Sequence, residues 1–282
     1  MKRNYILFQV ILIIAGLTFY SCSVGTKSLS TGQAYAELKC RKDPTVCKSM
    51  QLSRPHGFGG VPSITIQSLK AQSIQKIDSL LLGAYESDQK IRTESMTLMS
   101  KLNSAGANDV PVSVIDSLML FQEQTQAIDK ENQILVASVL KKGLPEGLSS
   151  QSYKAIWLIV DHADLKFQKK YLPIMEEAVR KELISAGDYA VLTDRIRMRE
   201  GKPQKYGTQS YTVTVDGRQV IYIWPVEDAK RLNELRSEIG AGDIETYIQV
   251  LKTTAGCDVI YNPELTVHQM KKMGLLKNNT SK

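Results

Sequence analysis

Residues 150–162 read Ser-Gln-Ser-Tyr-Lys-Ala-Ile-Trp-Leu-Ile-Val-Asp-His, and this stretch decides how the rest of the chain has to be arranged. Ser149 or Ser150 can cap a helix at its start, because a serine side chain accepts a hydrogen bond from the first free backbone amides. The run from Ile156 to Val160 makes the helix apolar on most sides. A helix of this kind has to be buried by other elements, so we expect it to be the centre of a helical domain.

Helical periodicity continues on both sides of this central helix. Apolar residues at mostly three- and four-residue spacing predict four further helices, which cover residues 64–102, 112–140, 165–183 and 185–201. We expect the first two to form an antiparallel pair. Pro173 lies well inside the third of them and predicts a kink or a break, because proline lacks the backbone N–H that a helix interior requires.

After Gly201 the apolar pattern changes from a helical to a strand period. Tyr211–Val215 and Val220–Trp224 flank Asp216-Gly217, which readily takes the positive φ angles of a tight turn, so the segment predicts a β-hairpin. Two shorter helices should follow, over 225–240 and 243–251. The expected fold is mainly α (α+β). Its parts are a helical domain over 63–251, the hairpin at 210–224 within it, and a weakly ordered C-terminal extension over 252–282.

The N-terminus has the parts of an export signal. Two basic residues precede an apolar run over 6–17, which is shorter than the roughly 20 residues that a membrane-spanning helix needs. The segment resembles a bacterial lipoprotein signal, which implies that residues 1–21 are removed and that Cys22 receives a lipid. The alternative is a transmembrane anchor with an incidental cysteine. With Ser23 next to the lipidated residue, we expect an outer-membrane position facing the periplasm, and residues 22–62 as a flexible tether.

Charge and cysteine content exclude other classes of partner. The chain has 36 Lys and Arg against 29 Asp and Glu, a formal net charge of +7, but the basic residues form no block and alternate with acidic ones. We therefore expect no nucleic acid partner. Cys40 and Cys47 enclose an Asp-Pro turn signal and can form a disulfide, or can remain two free thiols. Their spacing matches no common zinc site, so we expect no metal and no cofactor.

No motif of a known enzyme class is present, which turns attention to polar residues that packing does not require. His162 ends the central helix, where it can satisfy terminal carbonyls or act as a general base or a ligand-binding donor. The carboxylate that orients such a base would be Asp161, Asp164 or Asp194. Asp194 and its neighbour Arg195 can instead belong to a buried ion-pair network.

The loop over 201–209 holds the densest group of unusual residues. Gln204, Tyr206 and Gln209 offer hydrogen-bond donors and acceptors at closely spaced positions. Pro203 restricts the backbone of this loop, and Gly207 permits conformations that other residues rarely adopt. Such a loop can bind a polar ligand, for example a sugar or a peptide. It can equally satisfy the backbone groups between a helix and a hairpin.

These polar stretches resemble one bacterial family. They are Trp157-Leu-Ile-Val-Asp-His-Ala-Asp164, Leu192-Thr-Asp-Arg195, Gly201-Lys-Pro-Gln-Lys-Tyr-Gly-Thr-Gln209, and Pro225-Val-Glu-Asp228 with Arg236 and Gly240. In order and spacing they are similar to the domain-of-unknown-function family 6624, over about residues 74–250. The resemblance implies that the polar positions form one recurring constellation. The family lends no activity.

The two long helices add charged residues to this constellation. Asp88 and Arg92 have i,i+4 spacing, and Asp129 and Asn132 have i,i+3 spacing, so each pair occupies one helical face. If those faces turn inward, they meet the later polar residues. We therefore predict that one cavity is surrounded by Arg92, Asp129, His162, Asp194, Arg195, Gln204 and Tyr206. Gln209 completes the candidate ligand-binding set.

Two functional hypotheses follow. The leading one is a lipid-anchored cell-envelope protein that binds a polar ligand or a partner peptide at these residues. The alternative is a periplasmic hydrolase that uses His162 and Asp194 as acid and base. The hydrolase hypothesis requires His162 within hydrogen-bond reach of a carboxylate, with both groups facing an open cleft.

The lipid anchor is tested at Cys22. We expect Cys22→Ala to abolish lipid attachment and to release or mislocalise the protein, because Cys22 follows a short apolar run after a basic start, as in the lipoprotein signal that the segment resembles. Mass spectrometry of the mature wild-type protein measures the modification directly. An unmodified Cys22 in the mature protein would contradict the prediction.

Overall fold

The computed structural model describes residues 73–105, 112–215 and 218–276 of the 282-residue chain. The predicted signal, the lipidation site at Cys22, the tether, the Cys40 and Cys47 pair and the Asp216-Gly217 turn lie outside the described residues. Within the described ranges, no helix combines the length and the apolar character that a bilayer crossing requires.

The described residues form eight helices and three short strands. In chain order they are α1 (Ile74–Ala105), α2 (Val112–Val139), α3 (Ser150–His162), α4 (Leu165–Arg180), α5 (Ala186–Arg199), β1 (Ser210–Val215), β2 (Arg218–Ile223), α6 (Leu232–Glu238), α7 (Ile244–Ala255), β3 (Asp258–Ile260) and α8 (Val267–Lys272). The predicted fold class, mainly α (α+β), is confirmed.

Helix α3 lies at the centre of the helical part, as its apolar sequence predicts. Ser149 is its cap, and the serine side chain accepts a hydrogen bond from the amide of Ser152. Trp157 is fully buried, and its indole Nε1 donates to the carbonyl of Asp188 at 2.8 Å. Because α1, α2, α4 and α5 all pack against it, α3 is enclosed by helices on most sides.

Helices α1 and α2 form the expected antiparallel pair. Asn132 of α2 donates to the carbonyl of Ala84, and Asp129, one turn earlier in α2, binds Arg92, which is two turns later in α1. The later residue of α1 contacts the earlier residue of α2, which shows that the two helices are antiparallel. This register turns the face with Asp88 and Arg92 toward the interior, where both residues are buried.

Of the kink or break predicted at Pro173, the break is wrong, since α4 continues through this residue to Arg180. Both Pro173 and Lys169, whose carbonyl loses its helical partner, lie in exposed positions. Water can replace the missing hydrogen bond there, so the proline is accommodated on the outer face of the helix.

The strands form a sheet with the order β1-β2-β3 and hold the C-terminal segment in place. Strands β1 and β2 are antiparallel, with Val215 opposite Arg218, as the hairpin prediction requires. Strand β3 pairs in parallel with β2, so that Ile221 lies opposite Val259. Residues 252–276 are therefore not a weakly ordered extension. Helix α7 also runs on past Leu251, because its apolar face packs on this sheet.

A small apolar cluster fixes α8 to the rest of the fold. Trp224, Leu265 and Met270 are all buried in it, and the indole Nε1 of Trp224 donates to the carbonyl of Lys202 at 2.8 Å. The sequence pattern does not reveal this cluster, because the apolar residues come from separate elements that are each too short to show a period.

Two methionines test whether the C-terminal segment belongs to the core. Met270 is 0% exposed and Met273 is 59% exposed. We expect Met270→Ala to lower the free energy of unfolding by about 2–5 kcal/mol, because it leaves a cavity in a packed cluster. The control Met273→Ala should change it by less than about 0.5 kcal/mol. Equal, small effects of the two substitutions in chemical denaturation would show that α8 contributes nothing to stability.

Candidate functional site

Asp88 is the centre of a charged cluster between α1, α2 and α3. Its carboxyl oxygen Oδ1 accepts a hydrogen bond from Arg92 Nε at 3.2 Å and lies 2.9 Å from His162 Nδ1. Arg92 also donates from Nη2 to Asp129 Oδ1 at 2.5 Å. We call Asp88, Arg92, Asp129 and His162 the α1–α3 network. It brings together Arg92, Asp129 and His162, which the sequence analysis placed in the candidate site, and adds Asp88. The sequence indicates Asp88 only through its i,i+4 spacing to Arg92.

Exposure increases from the middle of the network to its ends. The side chain of Asp88 is 1% exposed and those of Arg92 and His162 are each 7% exposed, whereas that of Asp129 is 23% exposed. Within the described residues, neither His162 Nε2 nor Asp129 Oδ2 has a hydrogen-bond partner. The network is therefore paired inside and open at two atoms.

The two carboxyls of the network have opposite pKa shifts. Burial raises the pKa of Asp88, but the attraction of His162 and Arg92, with the hydrogen bonds of His162 and Gln89, holds it well below the ordinary value of 3.8. Burial also raises the pKa of Asp129, and there Arg92 and His162 offset the effect only in part, so the pKa stays above its ordinary value. Asp88 is thus the fixed anion of the network.

Asp161 and Arg195 form a separate buried ion pair between α3 and α5. Arg195 Nε donates to Asp161 Oδ1 at 2.9 Å, and Gln168 of α4 donates from Nε2 to the carbonyl of Asp161 at 2.6 Å. All three residues are buried. Asp161 is therefore not the orienting partner of His162, because its carboxylate faces α5. Gln168 was missed by the sequence analysis, since a single glutamine on an amphipathic helix carries no signal.

Asp194 anchors the loop over 201–209 and does not contact His162. Its two carboxyl oxygens accept hydrogen bonds from the amides of Lys205, Tyr206 and Thr208, at distances between 2.7 and 3.2 Å, and from the Thr208 hydroxyl at 2.9 Å. The carboxylate thus faces the loop. Asp164, the third carboxylate considered for His162, caps α4 by accepting from the amide of Phe167. Asp88 has the role that these residues were expected to fill.

The other polar residues of the loop also hold it in shape. Gln204 accepts from the amide of Gln209 at 2.7 Å and donates to the carbonyls of Gln209 and Trp224, at 2.9 and 2.7 Å. The side chain of Gln209 donates to the carbonyl of Val191 at 3.4 Å. Arg236 of α6 donates to the carbonyl of Tyr206 at 2.9 Å. The loop is therefore clamped from α5, β2 and α6.

His162 lines neither of two cavities in the described part of the chain. One, of about 390 Å³, lies between β2, β3 and α8. The other, of about 400 Å³, lies between the 201–209 loop and α6 and includes Lys205. Of the seven residues expected around one cavity, the structure joins Arg92, Asp129 and His162, and gives Asp194, Arg195, Gln204 and Tyr206 contacts of their own. Among the described residues, no three His, Cys, Asp or Glu side chains are grouped so that they could hold a metal ion.

Comparison with known proteins gives one match. A family model described as "Family of unknown function (DUF6624)" matches residues 75–260. This range includes the α1–α3 network, the Asp161 and Arg195 pair, the loop and all three strands. No curated protein and no solved structure matches the chain.

The lowered pKa of Asp88 predicts a loss of stability in acid. An ionised Asp88 stabilises the folded chain above pH 3.8, and this contribution is lost as the pH falls below 3.8 toward the folded-state pKa. We expect Asp88→Asn to lower the free energy of unfolding at neutral pH by about 3–5 kcal/mol, because Arg92 and His162 lose a buried partner. Between about pH 5 and about pH 2 the variant should also lose less stability than the wild type.

The control for this substitution is Glu176→Gln. Glu176 forms an exposed i,i+4 ion pair with Arg180 at 3.6 Å, and its removal should change the free energy of unfolding by no more than about 1 kcal/mol. Denaturant unfolding at several pH values measures both variants. Parallel pH profiles for Asp88→Asn and the wild type would contradict the assigned role of Asp88.

Proposed function

Because the chain belongs to the family of unknown function DUF6624, its function has to be argued from its own geometry, and we propose a binding module for a polar ligand or a partner peptide. The module is held at the outer membrane by a lipid on Cys22 and faces the periplasm. The basic start, the short apolar run and the serine and cysteine that end it support this location.

The observation that carries the proposal is the open ends of the α1–α3 network. Four charged or ionisable side chains are drawn into the space between three helices, which costs free energy unless they are paired. The inner contacts pair Asp88 and Arg92 fully, but His162 Nε2 and Asp129 Oδ2 remain free to bind another molecule. Such open positions are what a ligand site has and what a purely structural ion pair does not need.

The protonation of the network sets the chemistry of the ligand. Because an oxygen of Asp88 lies 2.9 Å from Nδ1, the tautomer that this contact favours has its hydrogen on Nδ1, and in that tautomer Nε2 is an acceptor. Asp129 Oδ2 is also an acceptor when the carboxyl is ionised. The ligand should therefore present at least two hydrogen-bond donors, such as sugar hydroxyls, amines or peptide amides.

A second candidate function is hydrolysis with His162 as the general base. The contact between Asp88 and His162 favours it, since a carboxylate that binds Nδ1 orients the imidazole and leaves Nε2 to take a proton from water. In this version Asp88 replaces Asp194 as the orienting residue. Binding remains the leading proposal, because it needs only the two acceptors that the network leaves open, whereas hydrolysis also needs a bound water and a group that protonates the leaving atom.

The proposal is tested with matched variants of the full chain in detergent. A panel of disaccharides, trisaccharides and di- and tripeptides is screened for an increase in melting temperature. We expect a stabilising compound to lose its effect on His162→Gln and Asp129→Asn, because each substitution removes or weakens one open acceptor. Glu176→Gln, on an exposed face of α4, should respond as the wild type does.

Two outcomes separate the candidates. Conversion of the stabilising compound to shorter products by the wild type but not by His162→Gln, detected by mass spectrometry, would favour hydrolysis. If no compound stabilises the wild type, while His162→Gln and Asp129→Asn both lower its unfolding free energy, the network is structural and the binding proposal is wrong.

A further inference from the structure

The cavity beside the 201–209 loop has the size of a small-molecule site and a mainly charged lining. Its volume of about 400 Å³ falls within the range of roughly 300–1,000 Å³ that such sites have. We call it the Lys205 cavity, and its lining residues are Lys205, Glu227, Asp228, Arg231, Leu235 and Glu238. It lies on other elements than the α1–α3 network, so its assignment does not rest on the function proposed above.

The walls of the Lys205 cavity are fixed from three sides. Asp194 accepts from the amide of Lys205 at 2.7 Å, which holds the loop against α5. The backbone amide of Gln204 donates to the carbonyl of Pro225, and the backbone carbonyl of Gln204 accepts from the amide of Glu227, both at 2.8 Å. These two hydrogen bonds join the loop to the segment after β2. Arg197 of α5 binds both the carbonyl of Pro203 and the carboxylate of Glu227. Positions held in this way need little further ordering when a ligand binds.

Some of the lining charges are already neutralised and others are not. Arg231 makes two hydrogen bonds to Glu234, at 3.0 and 3.1 Å, and Glu227 is paired with Arg197 at 2.9 Å. The ammonium of Lys205 forms no ion pair within the described residues and lies over the Tyr206 ring, 5.1 Å from the ring centroid. Asp228 and Glu238 form no ion pair within the described residues, but Arg231 attracts both carboxylates and donates its backbone amide to Asp228 at 3.2 Å.

One cation and two carboxylates that form no ion pair within the described residues therefore line one cavity. A ligand with a single charge would satisfy one side and be repelled by the other. A ligand that carries a carboxylate and an ammonium satisfies both sides. Leu235 adds an apolar contact for the part of the ligand between them.

We propose that the Lys205 cavity binds a small zwitterion, an amino acid or a short peptide, with the carboxylate of the ligand on Lys205 and its ammonium on Asp228 and Glu238. The dipeptide Ala-Leu is the probe, and isothermal titration calorimetry on the full chain in detergent measures its affinity. Because the site is open to water, we expect binding at about millimolar concentration. Acetylation of the amine or amidation of the carboxylate should each weaken binding by about fivefold or more.

Variants of the full chain locate the binding site. Lys205→Met and Glu238→Gln should each weaken Ala-Leu binding by about fivefold or more, because each removes a side chain's charge and leaves the backbone contacts of the loop intact. Lys230→Met is the matched control, since Lys230 is exposed nearby but does not line the cavity. It should bind as the wild type does.

Three results would overturn the assignment. The first is that Ala-Leu does not bind at all. The second is that the acetylated and amidated probes bind as well as the zwitterion. The third is that binding is lost in His162→Gln but kept in Lys205→Met, which would place the dipeptide at the α1–α3 network and support the proposed function instead.

Discussion

One buried carboxylate, that of Asp88, controls how the three central helices meet. A single oxygen accepts from Arg92 on its own helix and binds His162 at the end of α3, and Arg92 continues to Asp129 on α2. A charge that is removed from water without a partner costs several kcal/mol. Helices α1, α2 and α3 therefore reach a favourable arrangement only in the register that joins these four residues, whereas apolar contacts alone tolerate more than one packing.

A second buried carboxylate, that of Asp194, connects the helical part to the sheet. It accepts hydrogen bonds from backbone amides of the 201–209 loop. Within this loop, the Gln204 side chain donates to the carbonyl of Trp224, directly after β2, and the carbonyl of Tyr206 accepts from Arg236 of α6. The two carboxylates are both buried and both paired, but they differ in kind. Asp88 binds side-chain charges, and Asp194 binds backbone amides. The first leaves open atoms at the edge of its network, while the second is fully occupied by the loop that it shapes.

The surroundings of the two carboxylates determine how ligand binding and stability are related at the two proposed sites. At the α1–α3 network the groups that could meet a ligand belong to the charged cluster itself, so ligand binding and stability are coupled there. At the Lys205 cavity the supporting contacts come from Asp194, Gln204 and Arg197, while the ammonium of Lys205 forms no ion pair within the described residues. Binding can be changed at the second site without a large change in stability, which makes the two proposals separable by experiment.

The sequence by itself determined the elements and one part of the site. Capping residues and periodicity are local properties, and they located α3, the pair of long helices and the hairpin. The i,i+4 spacing put Asp88 and Arg92 on one face. Only the tertiary structure decided that Asp88, 74 residues before His162, is the partner of that imidazole. It also decided that β3, three residues long, is held by pairing with β2. The physical reason is the same in both cases: contacts between distant segments depend on how whole elements pack, and no local pattern records the register that packing selects.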